Sequence, residues 1–243
     1  MIIYKNFLYF LLFILSCSYV LSNEPSLQGL QPSYLHQLQR MAPARSRPFF
    51  YRAKSSEKIV ALSFDDGPLK RTARVMDLLR KRRVPAAFFI LASRLDTRSA
   101  RLYRDPLFEV GLHGWRHRHY RRLSPPSQAR ELDRGVRQLQ RHGLSTCWFR
   151  PPYGEISASL PSLMKRRNLR GVLWSLDSYD WRGYRGERLL ARIRRELRPG
   201  SLILLHDQSL PLRDLAALID TIRGLGYRII PLSELMKHHS FYP

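Results

Sequence analysis

KIVALSFDDGP, residues 58–68, decides how the rest of this chain is read. Ile59 to Phe64 is a short, near-continuous apolar run, closed by the turn-forming residues Asp65, Asp66, Gly67 and Pro68. A run without apolar–polar alternation suits a strand buried on both faces, as in a helix-covered parallel sheet. In parallel α/β architectures the carboxyl ends of the strands share one face, and catalytic residues gather there. The two carboxylates stand at that edge.

The same alternation continues outward. Thr72 to Arg83 carries Val75, Leu78 and Leu79 at helical spacing with Arg residues on the other side, and Pro85 stops it. Further strands are expected at Ala86–Leu91, Phe108–Leu112, Thr146–Phe149, Val172–Leu176, Leu202–Leu205 and Tyr227–Ile230. Helical stretches fall near Ser99–Tyr103, Ser127–His142, Ser157–Asn168, Glu187–Leu197 and Leu212–Gly224. Strands separated by helices argue for a parallel sheet. Periodicity alone does not decide whether that sheet closes into a barrel.

The 243 residues suit one domain with a short extension, and 44% hydrophobic with 11% aromatic content excludes a disordered chain. Residues 1–22 have the layout of a secretory signal peptide: Lys5, an apolar run from Phe7 to Leu15, and small residues before Asn23. An uncleaved anchor is the rival, but about 16 apolar residues fall short of the roughly 20 that a spanning helix needs. Lipid attachment at Cys17 is a second rival, with Leu15 a poor fit to a lipobox. Either way the protein is expected to be exported, with membrane contact only through the signal or a lipid anchor. Residues 23–57, rich in Gln, Ser, Pro and Arg, read as an N-terminal extension, and residues 58–243 as the catalytic domain. Signal cleavage leaves Cys147 alone, packed as a small apolar residue without a disulfide.

Basic residues number 42 against 19 acidic ones, a formal charge of +23, and 35 of the 42 are Arg. Such a field attracts anionic polymers, including cell-wall glycans, lipid headgroups and nucleic acid. No basic run interleaves with aromatics as a nucleic-acid motif does, so no specific nucleic-acid partner is expected. Most of the Arg residues are assigned to solvated helix faces.

Chemistry-bearing residues recur at one kind of position. Asp65 and Asp66 follow the first strand, His113 the third, Arg150 the fourth, Asp177 the fifth, and His206 with Asp207 the sixth. His113 and His117 are four apart, so on one helical turn their rings share a face. With a carboxylate they make a two-His, one-carboxylate set that leaves positions open for water on a divalent cation. The other Asp of the pair is then available as a base, and His206 on another strand as an acid. His119 is a rival ligand but shares no helical face with His117. Trp115 and Trp148 read as core aromatics, His142 as a helix end, and His238 and His239 as tail residues. Asp180 has Arg182 or Arg150 as candidate partners.

Together, SFDDGP, HGWRH, RPPYG, DSYDW and LLHD resemble the five ordered motifs of the polysaccharide deacetylases, carbohydrate esterase family 4, across Lys58 to Met236. The resemblance implies an α/β fold, a distorted (β/α) barrel of about seven parallel strands, that hydrolyses N-acetyl groups of glucosamine-containing glycans. It implies Asp65 as general base, and Asp66, His113 and His117 as ligands of a divalent metal, zinc before cobalt or manganese. By the same similarity Arg150 holds Asp65 charged, Tyr153 offers its backbone N–H to the oxyanion, and Asp177 orients His206, the acid. Trp181 and Leu205 would line the pocket for the acetyl methyl. Two positions depart from the family pattern: Gly114 replaces a Ser or Thr after the first metal His, and Ser63 stands where Thr is commoner. The expected partner is an N-acetylated glycan, with an anionic wall polymer as one form, and the expected state is a monomer. A deformylase or amidase acting on a lipid-linked sugar or non-sugar amide is the near alternative. A basic envelope or nucleic-acid binding protein with an idle site is the distant one.

Overall fold

The computed structural model describes residues 49–238. The readings of residues 1–22, Cys17 and His239 lie outside that range. Nine strands follow in chain order: β1 (Phe49–Phe50), β2 (Ile59–Asp65), β3 (Ala86–Ile90), β4 (Phe108–Leu112), β5 (Trp148–Phe149), β6 (Arg170–Val172), β7 (Leu176–Asp177), β8 (Leu202–His206) and β9 (Arg228–Ile229). The helices are α1 (Thr72–Lys81), α2 (Thr97–Leu102), α3 (Pro125–Arg141), α4 (Leu160–Lys165), α5 (Gly186–Glu196), α6 (Leu212–Gly224) and α7 (Leu232–Leu235). Among the described residues no helix is long and apolar enough to cross a membrane.

Alternation along β2 explains its unbroken apolar run. Ile59 and Ala61 join one cluster with Ala87, Phe89, Val172 and Leu202. Val60, Leu62 and Phe64 join the other, with Val75 and Leu79 of α1. Successive side chains of a strand point to opposite faces, so both faces of β2 are buried. The first cluster lines the inside of the curled sheet and the second lies under the helices.

Every strand pairing is parallel, in the order β1-β6-β5-β4-β3-β2-β8-β7, with β9 on the first residues of β2. Strands β6 and β7 lie near opposite ends of that order, yet only Leu173–Ser175 separate them in the chain. The sheet must therefore curl until its ends approach, which gives the distorted barrel.

Two readings change. The folded unit begins upstream of Lys58: Phe49 and Phe50 pair with β6, Arg52 bridges to Ser201, and the Ala53 N–H donates to the Gly200 carbonyl at 2.9 Å. A two-residue strand carries no periodic signal, so this segment reads as extension in the sequence. Gly200 permits the closure, because at φ +78 a Cβ would lie 2.1 Å from the Ala53 oxygen. Second, the single strand expected at Val172–Leu176 is two, β6 and β7, because the buried Arg150 guanidinium takes the Val172 and Leu173 carbonyls at 3.1 and 2.7 Å. Cys147 packs among the apolar side chains of the inner cluster. Trp148 is buried, Trp115 packs half-buried on the core, and His142 follows the last turn of α3, as the sequence suggests.

Candidate active site

Asp65 ends β2, and its register partners are Phe89 on β3 and His206 on β8. Alternation places Asp65 on the inner face with Ser63. Behind it lies Arg150, fully buried, with its guanidinium 4.0 Å from the Phe89 ring centroid. Arg150 Nη1 donates to Asp65 Oδ1 at 2.7 Å and to Ser63 Oγ at 3.0 Å. The Ser63 hydroxyl donates onward to the Ile203 carbonyl at 2.9 Å, so Ser supplies the hydroxyl that Thr would.

Asp66 leaves the strand at φ +76, a conformation that costs a non-glycine residue of order 1–3 kcal/mol and persists where the surroundings enforce it. Arg94 Nη1 donates to its carbonyl at 2.5 Å. His113 Nδ1 lies 2.7 Å from the Arg150 carbonyl, which can only accept, so Nδ1 donates there and Nε2 is the nitrogen that faces Asp66. His113 Nε2 stands 3.7 Å, and His117 Nε2 3.4 Å, from Asp66 Oδ1. Burial first, then the neighbouring His113, pushes the His117 imidazole down to about 4, so His117 is neutral at pH 7. Asp66 Oδ1 is buried with no hydrogen-bond partner. Two imidazoles and an orphaned carboxylate oxygen, all within 4.8 Å of one another, fit one divalent cation.

The loop, not a helix, brings the two His together. Residues 113–119 are irregular, and Gly114 sits at φ +89, where a Ser or Thr would be strained. The steadying expected of a hydroxyl comes from backbone bonds instead: Ala92 N–H to the Gly114 carbonyl and Ser93 N–H to the Trp115 carbonyl, both at 3.0 Å. His119 is no part of the metal set. It stacks on Tyr153 at 3.8 Å and 4°, and its Nδ1 lies 2.9 Å from Glu155 Oε1. Tyr153 also meets the His117 ring edge-on at 4.3 Å. Its own backbone is left-handed, φ 60, between two prolines and Gly154.

On the opposite wall, His206 is bound by Asp180 rather than Asp177. Asp180 Oδ1 lies 2.8 Å from His206 Nδ1, and Oδ2 accepts the His206 N–H at 2.6 Å. Burial lowers the imidazole's pKa, but the Asp180 bond and charge, with Asp65 and Asp66, outweigh it and raise it to about 9. Asp177 instead receives the Tyr179 N–H at 2.9 Å and the Trp181 indole N–H at 3.2 Å. The sequence offered both carboxylates of DSYDW, three apart, and only Tyr179 at φ 59 turns the second one back onto β8. Leu205 is likewise corrected. It is the register partner of Phe64 and faces the helices, whereas Leu204 shares the face of His206. Trp181 lies at the mouth and is half exposed.

The family model for polysaccharide deacetylases matches residues 52–172. The chain is 30% identical to the putative polysaccharide deacetylase YheN of Bacillus subtilis, over 74% of this chain and 69% of that one. The chain belongs to the polysaccharide deacetylase family. Within that family it is 29% identical to a peptidoglycan-N-acetylglucosamine deacetylase of Bacillus cereus, over 77% of this chain and 92% of that one. It is 31% identical to the peptidoglycan-N-acetylmuramic acid deacetylase PdaC of Bacillus subtilis, but spans only 39% of its length. The solved structure of a CE4-family pseudoenzyme of Bacillus anthracis has the same fold, with a TM-score of 0.73 at 24% identity over 84% of this chain and 72% of that one. In SFDDGP, HGWRH and LLHD, three of the family's motifs, this polysaccharide deacetylase chain carries Asp65, Asp66, His113, His117 and His206. Of its five described non-glycine residues at positive φ, three (Asp66, Tyr153 and Tyr179) flank these groups.

Proposed function

We propose that the chain removes N-acetyl groups from an N-acetylglucosamine-containing glycan (peptidoglycan, a chitin-type oligomer or an exopolysaccharide), adding water to the amide and releasing acetate and a free amine. The observation that carries this reading is the register of Asp65 opposite His206, with Asp66, His113 and His117 beside them. Asp65, with one oxygen held by Arg150, takes the proton from the attacking water through the other. The backbone N–H of Tyr153 stabilises the oxyanion. His206, kept protonated by Asp180, hands its proton to the leaving nitrogen. Leu204 and Trp181 bound the acetyl methyl. A divalent cation on Asp66, His113 and His117, zinc by the chemistry of that set, supplies Lewis acidity and a more acidic water. In this reading residues 1–22 are a signal that exports the protein to the envelope, where its substrate lies.

The test is acetate release from a small panel of acetylated glycans with and without a chelator. Release that stops on chelation and returns with zinc is expected; no chelator-sensitive release from any glycan would end the reading. The acid role sets the pH profile. A group with its pKa raised to about 9 keeps its proton through neutral pH and loses it above, so turnover should fall as pH rises through about 9. Asp180→Asn should lower kcat by about 10²-fold and move that alkaline limb toward neutrality, whereas Asp177→Asn should leave the limb in place. Equal profiles for the two variants would reassign the residue that tunes His206.

A further inference from the structure

Along residues 179–185, Tyr179, Trp181 and Tyr184 interleave with Arg182 and Arg185, and folding adds Arg residues of α5 to this set beside Asp180. Arg188 and Arg192, four apart on α5, share a face. Arg192 lies 3.8 Å over the Tyr179 ring and Arg188 3.8 Å over the Tyr184 ring. Arg182 covers Tyr179 at 5.1 Å and Trp181 at 4.9 Å. Two hydrogen bonds tie the set to the acid wall: Arg192 Nε to the Asp177 carbonyl at 2.7 Å, and Arg185 Nη1 to the Asp180 carbonyl at 2.6 Å.

Nearby carboxylates are engaged elsewhere: Asp177 with the Trp181 indole, Asp180 with His206, and Glu187 with Arg194. Among the described residues no ion pair joins a carboxylate to Arg182, Arg188 or Arg192, whereas Arg82, Arg167 and Arg228 each hold one and Arg80 holds two. The Tyr184 hydroxyl reports the resulting field. The Arg188 hydrogen bond draws its pKa down, burial opposes, and the charges of Arg188, Arg192 and Arg182 add to the lowering.

We infer that Arg182, Arg188 and Arg192, mounted on Tyr179, Trp181 and Tyr184, form a subsite for an anionic substituent on the sugar next to the acetylated one. A guanidinium lying on a ring keeps its in-plane N–H edge for an oxyanion, and a stacked side chain loses little freedom on binding. Three cations held together without a counter-charge repel one another, and a carboxylate or phosphate ester relieves that repulsion. The half-exposed Trp181, next to Asp180 in the chain, gives the sugar ring a face to lie on. This inference rests on the deacetylase reading for its placement of the sugar.

Binding is measured calorimetrically on metal-loaded Asp65→Asn protein, whose turnover, expected to be lower by about 10³-fold, leaves the tetramers intact during the titration. Three tetramers share one N-acetylglucosamine backbone: neutral, carrying a carboxylate ether on alternate rings, and carrying a phosphate ester. At least one charged tetramer should bind about tenfold tighter than the neutral one at low salt, the gap closing as salt is added; which one does so identifies the source of the oxyanion. Arg182→Gln/Arg188→Gln should remove that advantage, while the charge-matched Arg130→Gln/Arg134→Gln on α3 should keep it. Equal affinities for all three tetramers, or equal loss in both double variants, would overturn the subsite. Acetate release from the neutral tetramer by the unmodified protein reports separately on the deacetylase reading.

Discussion

Asp65→Asn should reduce acetate release by about 10³-fold at saturating metal, within the range a positioned base contributes. Asn keeps the shape and one oxygen for Arg150, but it has no basic oxygen to take a proton from water. The metal set lies on other side chains, Asp66, His113 and His117, so bound metal should remain near one equivalent. Metal content and kcat measured together therefore separate a lost base from a lost metal site. If the variant kept its metal and turned over within tenfold of the parent, Asp65 would not be the base and the idle-site alternative would gain ground.

Arg150→Met should be the most damaging single change to the fold. The guanidinium is fully buried and makes four hydrogen bonds, to Asp65, Ser63, Val172 and Leu173. Its removal strands a buried carboxylate and two carbonyls at the seam where β6 gives way to β7. Breaking a buried pair on one side costs about 3–5 kcal/mol, which for a domain of this size lowers Tm by roughly 6–20 °C. Met approximates the volume, so the loss measures charge and hydrogen bonding more than a cavity. Melting within a degree or two of the parent would show that the seam does not depend on Arg150. Arg150→Lys should recover only part of the loss, because one ammonium cannot reach groups spread around a planar fork.

The sequence made the inner strands legible because burial on both faces leaves a continuous apolar run, as in Ile59–Phe64, Ala86–Leu91 and Leu202–Leu205. What it hid was set by tertiary contact. Phe49–Ala53 is too short to show a period, and its role appears only when Gly200 and β6 lie against it. The break at Leu173–Ser175 depends on an Arg distant in sequence that claims two carbonyls. The spacing of four between His113 and His117 fits a helical turn, but Gly114 makes a loop that reaches the same juxtaposition. Asp177 and Asp180 have the same residue type in one motif, and the left-handed Tyr179 between them decides which one meets His206. Leu205 against Leu204 is the parity of a single strand position.

Asp65 and His206 sit on hydrogen-bonded neighbours at one level, so their spacing follows from the roughly 4.8 Å between adjacent strands. No change of connection length can alter it. Tyr153, Trp181 and the Arg182 set ride instead on the segments that leave β5 and β7, which carry no such constraint. Changing Trp181 and the Arg182 set while Tyr153 and Asp180 stay in place is thus a route to a different glycan preference with the reaction left intact. Cargo and chemistry can diverge separately on this scaffold.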